Sequence, residues 1–453
     1  MGSAAPSKPS IIIAGAGIGG LCCALHLHAY GFTDIHIFEA SSTLSTLGVG
    51  INVQPSAILI LRDLGLLDAM TATGIQTGEL NYYDRFGNPI IIEPRGINAG
   101  YTIPQISIHR GEFQMLLLDA VKERLGADRV HLNHAIVSLE QKVGSITAHF
   151  ARRKDPSTKP EIPSMTANIL VAADGINSTV RSMLYPKEGP PHFSGRMLWR
   201  GCLEREPYLT GASMVWAGHA NQKFIAYPIS SRAQSRGKSL VNWIAELRVR
   251  AADDPDTTPP KVDWTQTVPK EKFAGEFKSW TFGFLDTPAL IDATDHVYEF
   301  PMCDRDPVER WSFGRLTLLG DAAHPMYPIG SNGASQAIID SQALTEALLA
   351  HPKPHEVPEA LLAYQNARLP STAKIVMANR ANGPDHVMQV AHERAPDGFQ
   401  DIHDIIPKDE LEGIGSAYKA LVGMEMGKVN EAAKRSEGTA ERLRLRAPRA
   451  WAT

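Results

Sequence analysis

Two glycine-rich stretches hold the residue types able to do chemistry in this chain. The first, residues 320–333, reads GDAAHPMYPIGSNG. An acid (Asp321) three residues before a histidine (His324) suggests proton transfer, and Ser331 between glycines suggests a nucleophile. The spacing argues against both. A nucleophile elbow reads Gly-x-Ser-x-Gly, whereas the order here is Gly330-Ser331-Asn332-Gly333, with no base placed to partner it. His324 is therefore expected to be a loop residue. The second stretch, GAGIGG (15–20), fits Gly-x-Gly-x-x-Gly, and an acid, Glu39, follows 19 residues after Gly20. That spacing serves phosphate chemistry. Gly15 allows a tight turn, Gly17 lets the backbone approach a pyrophosphate, and Gly20 lets helix and strand pack closely. Glu39 can accept hydrogen bonds from ribose hydroxyls. His26/His28 and His131/His134 lack further ligands at metal spacing, so no metal site is expected. Cys22, Cys23 and His26 are expected to be packing residues.

These residues need elements to hold them. The strand SIIIAG, the glycine turn, the helix LCCALHLHAYG and the strand DIHIFEA form a βαβ unit, the opening of a parallel doubly wound sheet. A helix is expected over about 55–70, a hairpin over 80–93 with its turn at Gly87-Asn88, and an amphipathic helix over 109–125. From about 190 to 304 strand-like segments alternate with turn-rich breaks, predicting a mainly antiparallel sheet inserted into the α/β unit. The strand RLTLL (315–319) then runs into the Gly-Asp loop and another helix. In that loop Pro325 and Pro328 add stiffness, and Asn332 is placed to cap the helix that follows.

Composition narrows the class. With 453 residues, 43% hydrophobic and 21% charged, the chain suits a soluble protein of two packed units. A net charge of −4 gives no electrostatic case for a nucleic-acid partner. The apolar run from Ile11 to Phe32 is interrupted by glycines and histidines, so no membrane span is expected, and a short disordered leader precedes it. Four cysteines in neither disulfide nor metal spacing point to a reducing, cytoplasmic location. Basic residues from 428 onward read as a solvated helix or tail.

Three motifs in order carry a family resemblance: GAGIGG, VAADGINSTVR (171–181) and RLTLLGDAAHPMYPIGSNGASQAIIDS (315–341). Together they resemble the class A flavoprotein monooxygenases, the para-hydroxybenzoate hydroxylase-like group, and are most similar to its phenazine-modifying and salicylate hydroxylase-like branch. The likeness spans roughly residues 10–385. It implies a discontinuous Rossmann-like FAD-binding domain (8–75, 102–190 and 305–385), a substrate-binding β-sheet domain (76–101 and 191–304) and a C-terminal helical segment (386–453).

The resemblance implies FAD, with NADPH or NADH and O2 as co-substrates. There is no second complete fingerprint, so the nicotinamide nucleotide would bind transiently on the FAD domain. Gly15, Gly17, Ile18, Gly19, Gly20, Glu39 and Ala40 would take the ADP half of FAD. Arg110, opening a helix, would contact the cofactor, and GVGINVQPSA (48–57) nominates Gly50 and Ile51 beside the flavin. Asp174 would link FAD and the nicotinamide nucleotide, and Asp321 would hold the ribityl chain. Gly333 and Ala334 would open the helix facing the ring.

The implied activity is hydroxylation of an aromatic or heteroaromatic small molecule through a flavin C4a-hydroperoxide. An oxidase or reductase without oxygen insertion, and epoxidation, N-oxidation or Baeyer–Villiger chemistry, remain open, as does a non-catalytic FAD-bound protein. No catalytic residue is assigned. Tyr227, Tyr327 and Pro328 are expected to line the substrate cavity, with Trp216 and Phe224 also offered by the sheet. Because strand side chains alternate, Phe224 and Tyr227 are expected on opposite faces. Arg200 is read as a surface or salt-bridged arginine in preference to a carboxylate anchor. Oligomeric state is left open.

Overall fold

The computed structural model describes residues 8–44, 49–152, 162–263 and 266–446. The expected leader before residue 8, Gly48 and the last residues of the tail lie outside that set.

The α/β unit is built on the sequence's most apolar run. Ile11–Ala14 is buried at every position, which suits a strand covered on both faces. It pairs in parallel with Ile35–Phe38 on one side and Ile169–Ala172 on the other. Leu316–Leu318 extends the sheet beyond Ile169–Ala172, giving six strands in all. Helices Ile18–Ala29, Arg110–Leu125 and Gly333–Ala350 cover it. Gly15 has φ +102°, and a Cβ on Gly20 would come within 2.0 Å of the Gly15 carbonyl oxygen. Helix Ile18–Ala29 therefore sits directly on the turn that launches it.

The second sheet has seven strands. In spatial order they are Tyr298–Asp304, His192–Arg205, Ser239–Arg248, Gln222–Pro228, Ser213–His219, Glu79–Tyr83 and Pro89–Pro94. The hairpin near 80–93 thus joins the later strands, pairing in parallel with Ser213–His219 while every other neighbour is antiparallel. One face is an aromatic core holding Phe224, Trp243, Phe277 and Trp280. Tyr227 and Trp216 occupy the other face. Alternation along the strand therefore puts Phe224 and Tyr227 on opposite sides.

One local expectation changes. The helix over 55–70 is two helices, Pro55–Asp63 and Leu67–Thr73. Gly65 at φ +72° separates them, with Leu66 N–H donating to the Leu61 carbonyl in a Schellman stop. The basic C-terminal stretch is, over its described part, a surface helix with Lys428, Lys434 and Arg435 exposed. Helix Met426–Arg435 buries Val429 and Ala433, and Arg62 Nη2 donates to the Ala433 carbonyl at 3.1 Å and to Ser436 Oγ at 2.6 Å.

Gly20→Ala is expected to lower unfolding free energy by ~1–3 kcal/mol, because the added methyl meets backbone that cannot yield. Denaturant titration checks this, and an unchanged midpoint would show that helix and turn are not in close contact.

Candidate active site

The phosphate end divides its glycines by task. Gly15 and Gly20 face packed backbone, whereas a Cβ on Gly17 would meet open space. Gly17, Ile18 and Gly19 line a cavity of about 340 Å³. No side chain caps helix Ile18–Ala29, and its first turn carries no acid, so its N–H groups stay available to an anion. Glu39 is not in the cavity wall. Its carboxylate accepts from Ala16 N–H at 2.9 Å and Ser41 N–H at 2.8 Å, fixing the acid beside the loop. Ala40 follows it, half-buried. Gln114, unrecognised in the sequence, donates to the Ala16 carbonyl at 2.8 Å.

The Gly-Asp loop is held by a carboxylate the sequence did not single out. Asp340 is fully buried in helix Gly333–Ala350. One oxygen meets His324 Nε2 at 2.6 Å and Gly320 N–H at 3.1 Å, and the other accepts from Arg368 Nε at 2.7 Å. Desolvation alone would raise Asp340, but His324 and Arg368 outweigh it and bring its carboxyl down to about 2. His324 is thus an anchor between loop and helix. Arg181, also buried, donates to the carbonyls of Ala322 (3.0 Å) and Ala323 (2.8 Å), joining the Asp-Gly motif to the Gly-Asp motif.

The acids of those two motifs point to different places. Asp174 accepts from Ser178 Oγ at 2.5 Å and Val180 N–H at 3.3 Å, and its neighbours Ala173 and Gly175 line the cavity while Asp174 does not. Its carboxylate holds the turn and not the cavity wall. Asp321 lies deep in the protein, yet its side chain is open because it faces the cavity instead of packed atoms. Burial pushes its carboxyl up, and His324 and Arg110 pull against that. Among the described residues nothing donates a hydrogen bond to it.

Where the cavity meets the second sheet, Gly50 is clamped. Its N–H donates to Asn242 Oδ1 at 2.7 Å, and its carbonyl accepts from Arg200 Nη2 and the Tyr227 hydroxyl, each at 2.8 Å. Ile51, Trp216 and Pro328 also line the cavity. Burial pushes the Tyr227 phenol up to about 12, so it stays protonated near neutrality.

Three expectations need correction here. Tyr327 does not line the cavity; it packs behind the wall against Leu198, Ile244, Met302 and Ile329. The Asn332 side chain does not cap its helix: its Oδ1 accepts from no N–H there, while its Nδ2 turns to the Gly330 carbonyl (2.9 Å) and the Tyr418 hydroxyl (3.0 Å). The helix N-terminus at Gly333 and Ala334 is left open to the cavity. Arg200 is neither on the surface nor ion-paired: it lines the cavity, and no carboxylate among the described residues comes within ion-pair distance.

Sequence reading also missed the charged end of the cavity. Lys223 bonds Asp385 and lies 3.2 Å from Glu246, which meets Arg196 at 3.1 Å. All four are buried. Desolvation alone would lower Lys223, but Asp385 and Glu246 outweigh it and raise it, so the lysine stays charged. Strand alternation carried the signal, since Lys223 is two and four residues from Ile225 and Tyr227, which share the cavity face.

Two uncapped helix N-termini, the exposed Gly17 backbone and an acid with spare acceptor oxygens fit an extended dinucleotide that ends in a ring beside Gly50. A sequence-family model described as an FAD binding domain matches residues 8–379. The chain belongs to the class A flavoprotein monooxygenases, an FAD-binding family.

Relatives of this flavoprotein agree. The phenazine 1,6-dicarboxylic acid hydroxylase PhzS of Lysobacter antibioticus is 43% identical over 83% of this chain and 90% of its own. The 6-hydroxynicotinate 3-monooxygenase of Pseudomonas fluorescens is 29% identical over 85% and 91%. A solved salicylate hydroxylase substrate complex shares the fold at TM-score 0.70, with 19% identity over 95% of this chain and 98% of that one. The expected fold class and FAD-dependent monooxygenase activity are both borne out.

Asp321→Ala is expected to release FAD from the monooxygenase while far-UV circular dichroism stays unchanged; full FAD content would remove Asp321 from the cofactor site. Asp340→Asn is expected to cost ~3–5 kcal/mol of unfolding free energy, because it breaks a buried pair. Asp340 is depressed in the folded state, so its contribution is present above the unfolded value of ~4 and is lost as pH falls toward about 2. A wild-type curve of stability against pH should slope downward there, and the variant's should be flatter.

Proposed function

We propose that the enzyme hydroxylates an aromatic or heteroaromatic carboxylic acid, with Arg200 gripping the carboxylate. The carrying observation is Arg200 itself, a cavity-wall arginine with no ion-pair partner among the described residues and a buried Nε that donates to nothing. Burial lowers its guanidinium below the ordinary value, a cost that an incoming carboxylate would offset. The two curated relatives described above are both named for aromatic acids, which supports the reading.

FAD, reduced by NADPH or NADH, supplies oxygen activation and transfer when bound. The chain's own residues do the rest. Gly17, Ile18 and Gly19 would offer backbone N–H groups to the pyrophosphate. Glu39 and Ala40 would bound the ribose, and Arg110 would lie along the cofactor. Asp321 would accept from ribityl hydroxyls, and the helix end at Gly333 and Ala334 would favour negative charge on the ring. Gly50, Ile51 and Pro328 would border the ring's edge. Leu198, Ile225, Ile244 and Met302 would give the ring an apolar wall beside the charged end at Lys223, Glu246 and Asp385. Tyr227 fixes Gly50 through a hydroxyl that stays protonated near neutrality.

We also place the enzyme in the cytoplasm, a reading supported by its four free cysteines. Among the described residues no helix is long and apolar enough to cross a membrane.

Arg200→Met should weaken binding of aromatic acids by ~1.5–3 kcal/mol, or roughly 10- to 150-fold, while neutral analogues bind as before. Titration of the flavin absorbance with phenazine-1,6-dicarboxylic acid and with unsubstituted phenazine checks this. An equal loss for both ligands would remove Arg200 from carboxylate recognition.

A further inference from the structure

A second cavity of about 540 Å³ adjoins the first, between the hairpin over residues 79–94 and helix Lys408–Leu421. The two share Trp216 and Ser331 in their walls. The partition is therefore one indole and one turn. That turn is unusual: Gly330 and Ser331 both have positive φ, at +73° and +54°. Tyr418, on helix Lys408–Leu421, fastens to it, accepting from Asn332 Nδ2 at 3.0 Å and donating to Asn379 Oδ1 at 2.7 Å. A Cβ on Gly330 would lie 2.3 Å from the Tyr418 hydroxyl oxygen.

The lining of this second chamber describes its occupant. Leu80, Met214 and Leu411 supply apolar walls. Trp216, Arg95, Gln54 and Gln105 stand among them in the wall. An apolar space bordered by an indole, two amides and a guanidinium suits a planar ring with a few polar substituents. The charged groups of the wall pair with one another, Arg95 and Lys419 with Glu93 and Lys408 with Glu412, which leaves the apolar walls to receive the ring.

We propose that this chamber is the substrate's antechamber: an aromatic carboxylic acid binds there first and enters the flavin cavity between Trp216 and Ser331. The inference rests on the function proposed above. It makes the helix Lys408–Leu421 part of the path to the site, although the α/β unit and the sheet alone build the site itself.

Gly415 and Ile91 line the antechamber and not the flavin cavity. Nothing lies within 4 Å of a Cβ on Gly415, and any residue there gains helix propensity over glycine. Gly415→Trp and Ile91→Trp therefore narrow the path without touching the site. Stopped-flow mixing of FAD-loaded protein with phenazine-1,6-dicarboxylic acid, followed by flavin absorbance, reads the passage directly. Association and dissociation rates should both fall by about tenfold or more, while Kd, their ratio, holds within about twofold. FAD content and Tm, measured alongside, show that each variant is folded and loaded. Unchanged rates in both variants would overturn the proposal. So would a weaker Kd with an unchanged association rate, which describes a final binding subsite and not a passage. Unsubstituted phenazine, run in parallel, separates the two readings. If wild-type protein binds the acid no better than phenazine, the carboxylate reading fails, while the slowed entry of phenazine still reports the gate.

Discussion

The buried carboxylate of Asp340 is the constraint on which the candidate cofactor site depends. A lone charge in that position would be too costly to keep, so His324, Gly320 N–H and Arg368 all converge on it. The result fixes three elements relative to one another: the Gly-Asp loop, the helix Gly333–Ala350 and the helix Val357–Arg380. With the loop so fixed, Asp321 can stand at the cavity with its oxygens free. Arg181 then adds the Asp-Gly turn to the same assembly through the carbonyls of Ala322 and Ala323.

Gly50 plays the corresponding part where the two units meet. Its N–H and carbonyl are taken by Asn242, Arg200 and Tyr227, all from the seven-stranded sheet. A side chain there would strike Ile229 and Tyr227 at 2.7 Å, so glycine is required by contact alone. On the proposed reading the α/β unit would hold the cofactor end and the sheet would supply the substrate wall. Arg200 belongs to both, bonded to the flavin-side backbone and facing the space where a ring would lie.

What was legible in the sequence was local. Gly15, Gly17 and Gly20 have their tasks within one turn, and their roles follow from spacing alone. The alternation that separated Phe224 from Tyr227 is equally local. The Asp340 clamp joins residues 16, 20 and 28 positions apart, and Arg181 reaches carbonyls 141 and 142 residues away. Neither leaves a periodic trace. Asn332 looked like a cap because its residue type suits one, but its amide is oriented by donating to Gly330 and Tyr418, and its oxygen meets no helix N–H. Tyr327 shares a loop with Pro328, yet the apolar cluster behind the wall holds its ring. The charged quartet was within reach, since Lys223 and Glu246 are cross-strand partners on the cavity face.

The central claim is that the chain positions an aromatic acid for oxygen insertion beside an FAD spanning both glycine motifs. Turnover of FAD-loaded protein with NADPH and isotopically labelled dioxygen, in the presence of phenazine-1,6-dicarboxylic acid, 6-hydroxynicotinate or salicylate, tests it most directly. Mass spectrometry should find one labelled oxygen in a hydroxylated product of at least one acid. Oxidation of NADPH with all the label in hydrogen peroxide, and none in a product of any acid, would contradict it.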